Sequence, residues 1–224
     1  MGFSNFTFDA ERFLGFALAF IIGTTIHEFM HAYSAHLLGD DTAKQQGRVT
    51  LNPIAHFDPF GFAMGMLLAL GIGLLAWGRP VPVNPSNLKW GRRGMAIVAI
   101  AGPLSNLAFA AVLLVVYKVG EIFLPTPATN VILYMISLNL LLFCFNLVPI
   151  PPLDGFKILV GILPNYWVIV LEPIRRYSLP ILMGLVFLLP YAASRLFGFE
   201  LNPVSNAITP VYQLLVWIFQ VPLG

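Results

Sequence analysis

The sequence is dominated by apolar stretches that approach the length needed to cross a lipid bilayer. A bilayer core about 30 Å thick requires about 20 apolar residues in a helix. Six such stretches lie between charges, prolines or glycines: 13–38, 60–77, 94–119, 130–148, 179–196 and 208–221. Because 58% of the residues are hydrophobic and only 10% are charged, a surface that faces water on all sides is excluded. The pattern predicts an all-α polytopic membrane protein with about five to six transmembrane helices.

Two further counts narrow the class of protein. The formal net charge is +2, which is too small on so apolar a chain to indicate binding to nucleic acid. Cys144 is the only cysteine, so an internal disulfide, a cysteine-based zinc finger and an iron–sulfur cluster are excluded. Any bound metal must therefore use His, Asp or Glu.

The distribution of polar residues gives no sign of a separate soluble domain. We expect one integral-membrane domain over 1–224, with a core at about 11–160 and additional helices at about 177–222. Asp9 and Glu11 precede the first apolar stretch, where a cleaved leader would be basic. We therefore expect the N-terminus to be retained.

The topology of the stretch at 60–77 decides on which side of the membrane the later segments lie. Residues 47–53 and 79–85 flank it, alternate in hydrophobicity and end in Asn-Pro, which predicts two short strands of a small membrane-associated β-hairpin. If these strands pair, 60–77 enters and leaves on the same side as a re-entrant segment that is broken at 71–73. A single span is the alternative.

The basic residues favour the re-entrant arrangement. With 60–77 re-entrant, three basic residues lie on one side, Arg12, Lys118 and Arg195, and nine lie on the other: Lys44, Arg48, Arg79, Lys89, Arg92, Arg93, Lys157, Arg175 and Arg176. Such a bias marks the cytoplasmic face, and a spanning segment would largely remove it. The sequence therefore predicts a multi-pass protein of the cell membrane whose N-terminus lies outside and whose first helix runs inward.

The strongest indication of chemistry is the pentapeptide His27-Glu28-Phe29-Met30-His31 in the first apolar stretch. Residues four apart share one face of a helix, with about 6 Å between them along the axis. Two imidazoles at this spacing can bind one zinc ion while the intervening glutamate serves as a base. The alternative is a metal-free helix whose polar residues face a bundle interior, and the cost of ionisable groups in an apolar helix argues against it.

A zinc site requires a third protein ligand, and Asp154 is the outstanding candidate. It follows a segment with three prolines within four positions, 149–152, where the fourth helix cannot continue regularly. Irregular backbone at membrane depth is tolerated where it is buried in protein or lines a water-filled cavity. The re-entrant topology also brings Asp154 to the inner half of the membrane, at the depth of His27 and His31. A surface Asp-Gly turn is the alternative.

The other two histidines are less clearly assigned. His56 lies in the loop that leads into 60–77, and three roles stay open for it: a structural histidine at the membrane interface, which its position favours, a gate over the metal site, or an extra ligand. His36 is nine residues past His27 and points to the opposite side of an ideal helix. We expect it to be a snorkelling or capping residue.

Three motifs together resemble the site-2 protease family of intramembrane zinc metalloproteases. They are His27-Glu28-x-x-His31, the segment Ala-Gly-Pro-Leu-Ser-Asn at 101–106, and the segment 146–155, Asn-x-x-Pro-x-Pro-x-x-Asp-Gly, in the order found in that family. The resemblance implies that zinc is held by His27, His31 and Asp154, with Glu28 as general base. It places contacts to the substrate or the transition state at two asparagines, Asn106 and Asn146.

The same resemblance implies a function and a class of substrate. It indicates regulated intramembrane proteolysis, in which a transmembrane segment of another membrane protein is cut near the cytoplasmic face of the bilayer. A membrane-bound transcription regulator or a leftover signal peptide is the expected substrate, and an edge at 49–51 or 81–83 would capture the unwound segment by strand addition. The sequence differs from larger relatives in having no PDZ or CBS domain, and it gives no oligomeric state.

Two other functions fit the same residues less well. A catalytically inactive membrane scaffold or chaperone of the same fold would not need Glu28, which is intact. A metal transporter would normally show internal repeats or more charges within its apolar stretches, and neither is visible in the sequence. A zinc metalloprotease is therefore the favoured prediction.

Overall fold

The structure, a computed structural model, describes residues 8–70 and 76–221. Within these ranges the α-helices are α1 (Ala10–Leu37), α2 (Thr42–Gln45), α3 (Pro59–Ala69), α4 (Arg92–Gly120), α5 (Thr126–Asn146), α6 (Asp154–Ile162), α7 (Asn165–Leu171), α8 (Ser178–Met183), α9 (Leu189–Ala192) and α10 (Pro203–Phe219). Short 3₁₀ helices lie at Pro53–His56 and Glu172–Tyr177, and π-helical turns lie at Gly184–Leu188 and Ala193–Phe197.

The predicted all-α membrane architecture is confirmed. By length and composition, four helical stretches of the described chain can cross a membrane: α1, α4, α5 and the interrupted stretch Asn165–Phe197. This is fewer than the five to six expected, because hydropathy reports how apolar a stretch is and not how far its helix continues. The α-helix that overlaps the stretch 60–77 in the described chain has only 11 residues, and the helix that overlaps the last stretch, 208–221, has 17 residues.

Helices α1, α4 and α5 pack together and form the core that carries the site. Buried apolar side chains fill the space between them, including Phe20, Leu113, Ile136 and Leu140. Gly23 of α1 lies directly against the asparagine side chains of α4 and α5 and has no room for a Cβ atom. Small residues allow helix backbones to approach closely, and here they bring polar side chains of three helices into contact.

The predicted β-hairpin is not formed, since no β-strand occurs in residues 8–70 and 76–221. Pro80 and Pro82 have no N–H group, so one edge of 79–83 cannot donate to a strand ladder. Residues 53–56 turn into a 3₁₀ helix that Asn52 caps with its side chain. The 3₁₀ helix at 53–56 and the segment 79–83 are joined instead by one hydrogen bond, in which the backbone N–H of Arg79 donates to the carbonyl of His56 at 2.9 Å.

The two ends of the stretch 60–77 lie beside each other. Asp58 caps α3 by accepting a hydrogen bond from the N–H of Gly61 at 2.7 Å. Where the described chain resumes after α3, the ring of Trp77 packs against Phe60 with 6.2 Å between the ring centroids. The stretch therefore returns to its starting point, while the predicted break at 71–73 falls outside the described residues.

Candidate metal centre

Three buried side chains from two distant parts of the sequence meet at one point. The Nε2 atoms of His27 and His31 lie 3.0 Å apart, and Oδ2 of Asp154 lies 3.1 Å from the first and 3.0 Å from the second. All three residues are less than a tenth exposed. Two ligand atoms at 2.0–2.1 Å from a tetrahedral zinc ion lie about 3.3 Å apart, so this triangle of donor atoms has the size that zinc requires.

The protonation of the two imidazoles also fits a metal. His31 Nδ1 lies 2.8 Å from the carbonyl oxygen of Val98, and His27 Nδ1 lies 2.7 Å from Oδ1 of Asn106. Both oxygens can only accept, so each Nδ1 donates to its partner and each Nε2 is directed toward Asp154. Two imidazole nitrogens and a carboxylate oxygen this close together are the arrangement that a shared cation stabilises. The residues therefore fit a bound zinc ion.

A network of amides fixes the orientation of His27. Asn106 is fully buried, and its Nδ2 donates to the carbonyl of Gly23 at 3.2 Å and to Oδ1 of Asn139 at 3.0 Å. Asn139 in turn donates to the carbonyl of Met135 within its own helix. These bonds leave only the Oδ1 atom of Asn106 to face the imidazole. Outer hydrogen bonds of this kind set the ring orientation of a metal-binding histidine.

Gly102 makes room for both imidazoles on α4. A Cβ atom at this position would overlap the His31 ring and lie within 2.8 Å of the His27 ring. The helix backbone of α4 can therefore approach α1 closely enough for the Val98 carbonyl to reach His31. Glycine in the 101–106 motif thus has a packing reason at the metal centre.

Asp154 occupies the first turn of α6, directly after the proline-rich segment. Its two oxygens have different partners, since Oδ2 faces the histidines while Oδ1 accepts from Nζ of Lys157 at 2.8 Å. Gly155 lies against the backbone of Leu147 and Val148, where no Cβ atom would fit. The close passage of α6 past the end of α5 therefore holds the carboxylate in place.

A cavity of about 540 Å³ lies beside this cluster and gives it access to a substrate. Its wall combines the metal-centre residues with an irregular segment, 76–83, that we call the strap, and with side chains of α4, α5, α6 and α8. Most of the lining is apolar, including Trp77, Met95, Phe145, Leu179 and Leu182. A volume of this size suits a small extended piece of polypeptide or a ligand of similar size.

Glu28 lies at the wall of the same cavity, on the α1 face next to the two histidines. Its Oε2 atom accepts a hydrogen bond from the backbone N–H of Val81 in the strap at 3.0 Å. The carboxylate is partly exposed and is thus accessible from the cavity. It is the one acid beside the three-residue cluster in the described part of the cavity wall.

The two asparagines predicted to contact substrate are placed differently. Asn146 lines the cavity and donates one N–H to the carbonyl of Leu142 at 3.0 Å, which leaves its side chain at the cavity wall. Asn106 also borders the cavity, but it is fully buried, and both hydrogens of its amide are engaged. Its geometry fits the orientation of His27 better than a contact with substrate.

The structure does not bring His56 into the metal cluster. His56 is 3% exposed, its Nε2 donates to the carbonyl of Thr50 at 2.8 Å, and its Nδ1 faces the Arg48 guanidinium at 3.4 Å. Burial lowers the pKa of His56 below its ordinary value, and the nearby Arg48 charge acts in the same direction. His36 pairs with Asp41 beyond the last turn of α1, as expected of a capping residue.

Sequence reasoning missed several residues that complete the site. Lys157 lies three positions after Asp154, a helical spacing that brings an ammonium to a carboxylate and could have identified it. Asn139 carries no such signal, because it is one polar residue within a long apolar stretch. The sequence predicts Arg48 only as a cytoplasmic charge, whereas in the structure it donates hydrogen bonds to the strap.

Curated relatives agree with this geometry. The chain is 43% identical over 169 residues to "Putative zinc metalloprotease YwhC" of Bacillus subtilis, which covers 69% of this chain and 75% of that protein. It is 31% identical over 205 residues to "Putative zinc metalloprotease Rip2" of Mycobacterium tuberculosis, with 87% of this chain and 76% of that protein covered. No protein-family model and no solved structure matches the chain.

These similarities confirm the prediction of a zinc metalloprotease and, with it, of zinc as the cofactor. The His-His-Asp cluster supplies the donor set that such an enzyme needs. The identity to YwhC extends over more than two thirds of both chains. The chain therefore belongs to the site-2 protease family of zinc metalloproteases.

Proposed function

We propose that this protein is an intramembrane protease that hydrolyses peptide bonds within or beside the transmembrane segments of other membrane proteins. The observation that carries the proposal is the position of the His27–His31–Asp154 cluster and Glu28. They lie at a largely apolar cavity formed by helices that are long and apolar enough to cross a membrane. A soluble peptide would gain little from such walls, whereas an apolar segment would bury its side chains there.

The residues divide the chemistry of hydrolysis among them. His27, His31 and Asp154 would hold zinc, which supplies a Lewis acid that acidifies water and polarises a peptide carbonyl. Glu28 would accept the proton of the attacking water and deliver it to the leaving amine, the usual work of a positioned carboxylate. Its proximity to the two histidines on α1 places this base where the proton is released.

The asparagines have separate roles in this proposal. Asn106 holds His27 in the tautomer that presents Nε2, so it acts on the metal site and not on the substrate. Asn146 lines the cavity, and its second amide hydrogen would stabilise the oxyanion that develops on the scissile carbonyl.

The substrate must be unwound before it can react, because a helix hides its carbonyls in intrahelical hydrogen bonds. Capture by strand addition at 49–51 or 81–83 was predicted for a hairpin that the described residues do not form. Pro80, Val81 and Val83 nevertheless line the cavity in a segment without regular structure, which supports contact between this segment and an unwound substrate there. A membrane-bound transcription regulator or a signal-peptide remnant is the class of substrate that we propose.

The orientation in the cell membrane follows from the distribution of charge. We propose an N-terminus outside, a re-entrant 60–77 and an active site in the cytoplasmic half of the bilayer, so that nine of the basic residues face the cytoplasm. The adjacent ends of 60–77 support this arrangement. His56 then lies near the cytoplasmic interface as a structural residue.

A cleavage assay with a transmembrane substrate tests the proposal. Zinc-loaded protein in proteoliposomes should cut a reporter whose transmembrane segment carries a helix-destabilising residue, while Glu28→Gln should bind zinc and cut at least about 100-fold more slowly. The matched control is Glu121→Gln, since Glu121 lies at the far end of α4, paired with Lys118 and Tyr117. Cleavage of soluble peptides alone would overturn the intramembrane activity, and zinc binding without any cleavage would favour the inactive scaffold. Zinc uptake into sealed vesicles would favour the transporter.

A further inference from the structure

The strap reaches Glu28 through a single peptide group. The N–H of Val81 donates to Oε2 of Glu28 at 3.0 Å, and the carbonyl of the same peptide group, Pro80 O, accepts from a guanidinium nitrogen of Arg48 at 3.4 Å. The other terminal nitrogen of Arg48 donates to the preceding carbonyl, that of Arg79. One side chain thus holds two consecutive carbonyls at the point where the strap meets Glu28.

The sequence of the strap leaves little choice of donor for this contact. Pro80 and Pro82 have no N–H, so Val81 carries the one backbone donor between residues 80 and 82. A cation near the carbonyl oxygen of a peptide group polarises that group, so its own N–H becomes a stronger hydrogen-bond donor. The Arg48 charge therefore strengthens, as well as positions, the bond that Val81 makes to Glu28.

The burial of Arg48 indicates a specific function for its charge. Arg48 is 5% exposed, forms no ion pair within 4 Å among residues 8–70 and 76–221, and leaves its Nε atom without a partner among them. A buried charge is costly unless it is paired and hydrogen-bonded, and mere attachment of a loop does not need one. Glu28 is the carboxylate whose charge acts on the Arg48 guanidinium across the strap.

The surroundings of Arg48 hold it in this position. His56 accepts from the guanidinium through Nδ1, and the carbonyl of His56 accepts from the N–H of Arg79 at 2.9 Å. Beyond the other end of the strap, the fully buried Asp40 accepts from the N–H of Asn84 at 2.7 Å and from the side chain of Asn87 at 3.0 Å. The segment that carries Val81 is therefore fixed on both sides.

We propose that Arg48 is a positioning residue of the protease, which holds the Glu28 carboxylate in place through the Pro80–Val81 peptide group. This inference rests on the proposed role of Glu28 as general base. Arg48 forms no hydrogen bond with the metal-binding cluster and does not itself line the cavity, so its loss alters the base and leaves the zinc ligands in place. Positioning errors of about 1 Å at a reacting group reduce rates by about 100-fold.

Kinetic measurements on Arg48→Gln with a transmembrane reporter test this role. We expect kcat to fall at least tenfold while KM changes by less than about twofold and the zinc content stays at that of the wild type. Arg93→Gln is the matched control, because it removes an exposed arginine side chain at the start of α4, outside the strap and the cavity wall, and it should retain kcat. Arg48→Lys keeps the charge but replaces the fork by one ammonium, so it should restore part of the loss.

A double-mutant cycle separates positioning through the strap from a general loss of structure. Val81→Pro removes the N–H that binds Glu28, and adding Arg48→Gln to it should lower kcat by less than Arg48→Gln does alone. The proposal would be overturned if the effects of the two substitutions on kcat were fully additive, or if Arg48→Gln left kcat unchanged. It would also be overturned if the fall in kcat were accompanied by a loss of zinc. If Arg48→Gln does not fold, Arg48→Lys in the same cycle carries the test.

Amide exchange tests the contact without any reference to activity. In zinc-loaded protein in micelles, the strap peptide that contains Val81 should exchange faster in both Arg48→Gln and Glu28→Ala than in the wild type, and no faster in Arg93→Gln. Unchanged exchange in Arg48→Gln would overturn the proposal even if the enzyme cleaves its substrate. If exchange is faster in Arg48→Gln but the wild-type protein cleaves no substrate, the contact between the strap and Glu28 is supported and only the proposed protease function is overturned.

Discussion

The two sides of the active-site cavity are built in different ways. On the metal side, His27, His31 and Asp154 project from regular helices, and buried amides or a helix carbonyl hold the imidazoles. On the strap side, Glu28 accepts a hydrogen bond from backbone that has no regular structure. The side chains of Arg48 and Asp40 hold that backbone in place through hydrogen bonds to its main-chain atoms. The comparison separates metal binding from positioning of the base.

The difference predicts different responses to substitution. Removal of a metal-side residue should change zinc affinity, because each such residue either donates to the ion or orients a donor. Removal of a strap-side residue should leave zinc affinity unchanged and alter turnover or the mobility of the strap. A residue that gives the response of the opposite side would break the comparison.

The largest effect is expected from the zinc ligands. His27→Ala and Asp154→Ala should each reduce zinc from about one per chain to a small fraction of that value, since a catalytic zinc site has three protein ligands and the loss of one weakens binding. Metal analysis of detergent-purified protein checks this, with Glu28→Gln as the control that should retain zinc. Stoichiometric zinc in Asp154→Ala would show that the two distant motifs do not share one metal.

The metal side was the more predictable because its pattern lies in the sequence. Two histidines four positions apart must share a helix face, and an acid after a proline-rich helix exit is rare enough in an apolar chain to be noticed. Helices α4 and α5 were predicted from hydropathy alone, as the stretches 94–119 and 130–148. Asn139 escaped prediction because its partner, the Nδ2 group of Asn106, is brought to it only by the packing of α4 against α5.

A smaller effect on zinc is expected from Asn106→Ala. This change leaves the Nδ1–H of His27 without its acceptor in a buried site, and outer-shell changes of this kind lower metal affinity by about 10–100-fold. Competition with a chelator of known affinity measures the loss. Asn146→Ala is the matched control, since Asn146 bonds only to its own helix among the described residues, and its zinc affinity should equal that of the wild type while kcat falls.

The strap was the less predictable side because its partners are main-chain atoms. Alternating Pro and Val at 80–83 suggested a strand, but the missing N–H groups prevent a ladder, and the side chain of Arg48 replaces it. No local pattern assigns a cation to two carbonyls that lie more than 30 positions away. Hydropathy did identify 179–196, which lies within the stretch Asn165–Phe197 that can cross a membrane, but it does not reveal that π-helical turns interrupt this helix.

Lys157 sharpens the comparison because it lies on the metal side but is 41% exposed. Lys157→Met removes the partner of Asp154 Oδ1, and an exposed ion pair contributes at most about 1 kcal/mol, which corresponds to about fivefold in zinc affinity. Chelator competition checks the expected loss, and Lys118→Met, which breaks a similarly spaced pair at the end of α4, is the control. A loss above about 50-fold would show that Lys157 does more than pair with the carboxylate.

The smallest expected effect is a pH dependence that belongs to the strap side alone. Burial lowers the pKa of His56 below its ordinary value, so the neutral ring is the form that stabilises the fold. That stability is complete above the unfolded-state pKa of about 6.5 and is lost as pH falls through the lower folded-state pKa.

Protonated His56 would face the Arg48 charge at 3.4 Å and could no longer accept its hydrogen bond, whereas the Glu28 charge would only partly offset the repulsion. The protection of the strap amides, which is the intrinsic exchange rate at each pH divided by the observed rate, should therefore fall below pH 6.5 in the wild type at unchanged zinc occupancy. His56→Gln, which keeps an acceptor but does not titrate, should show no such loss of protection, and an equal loss in both proteins would assign the effect to another group.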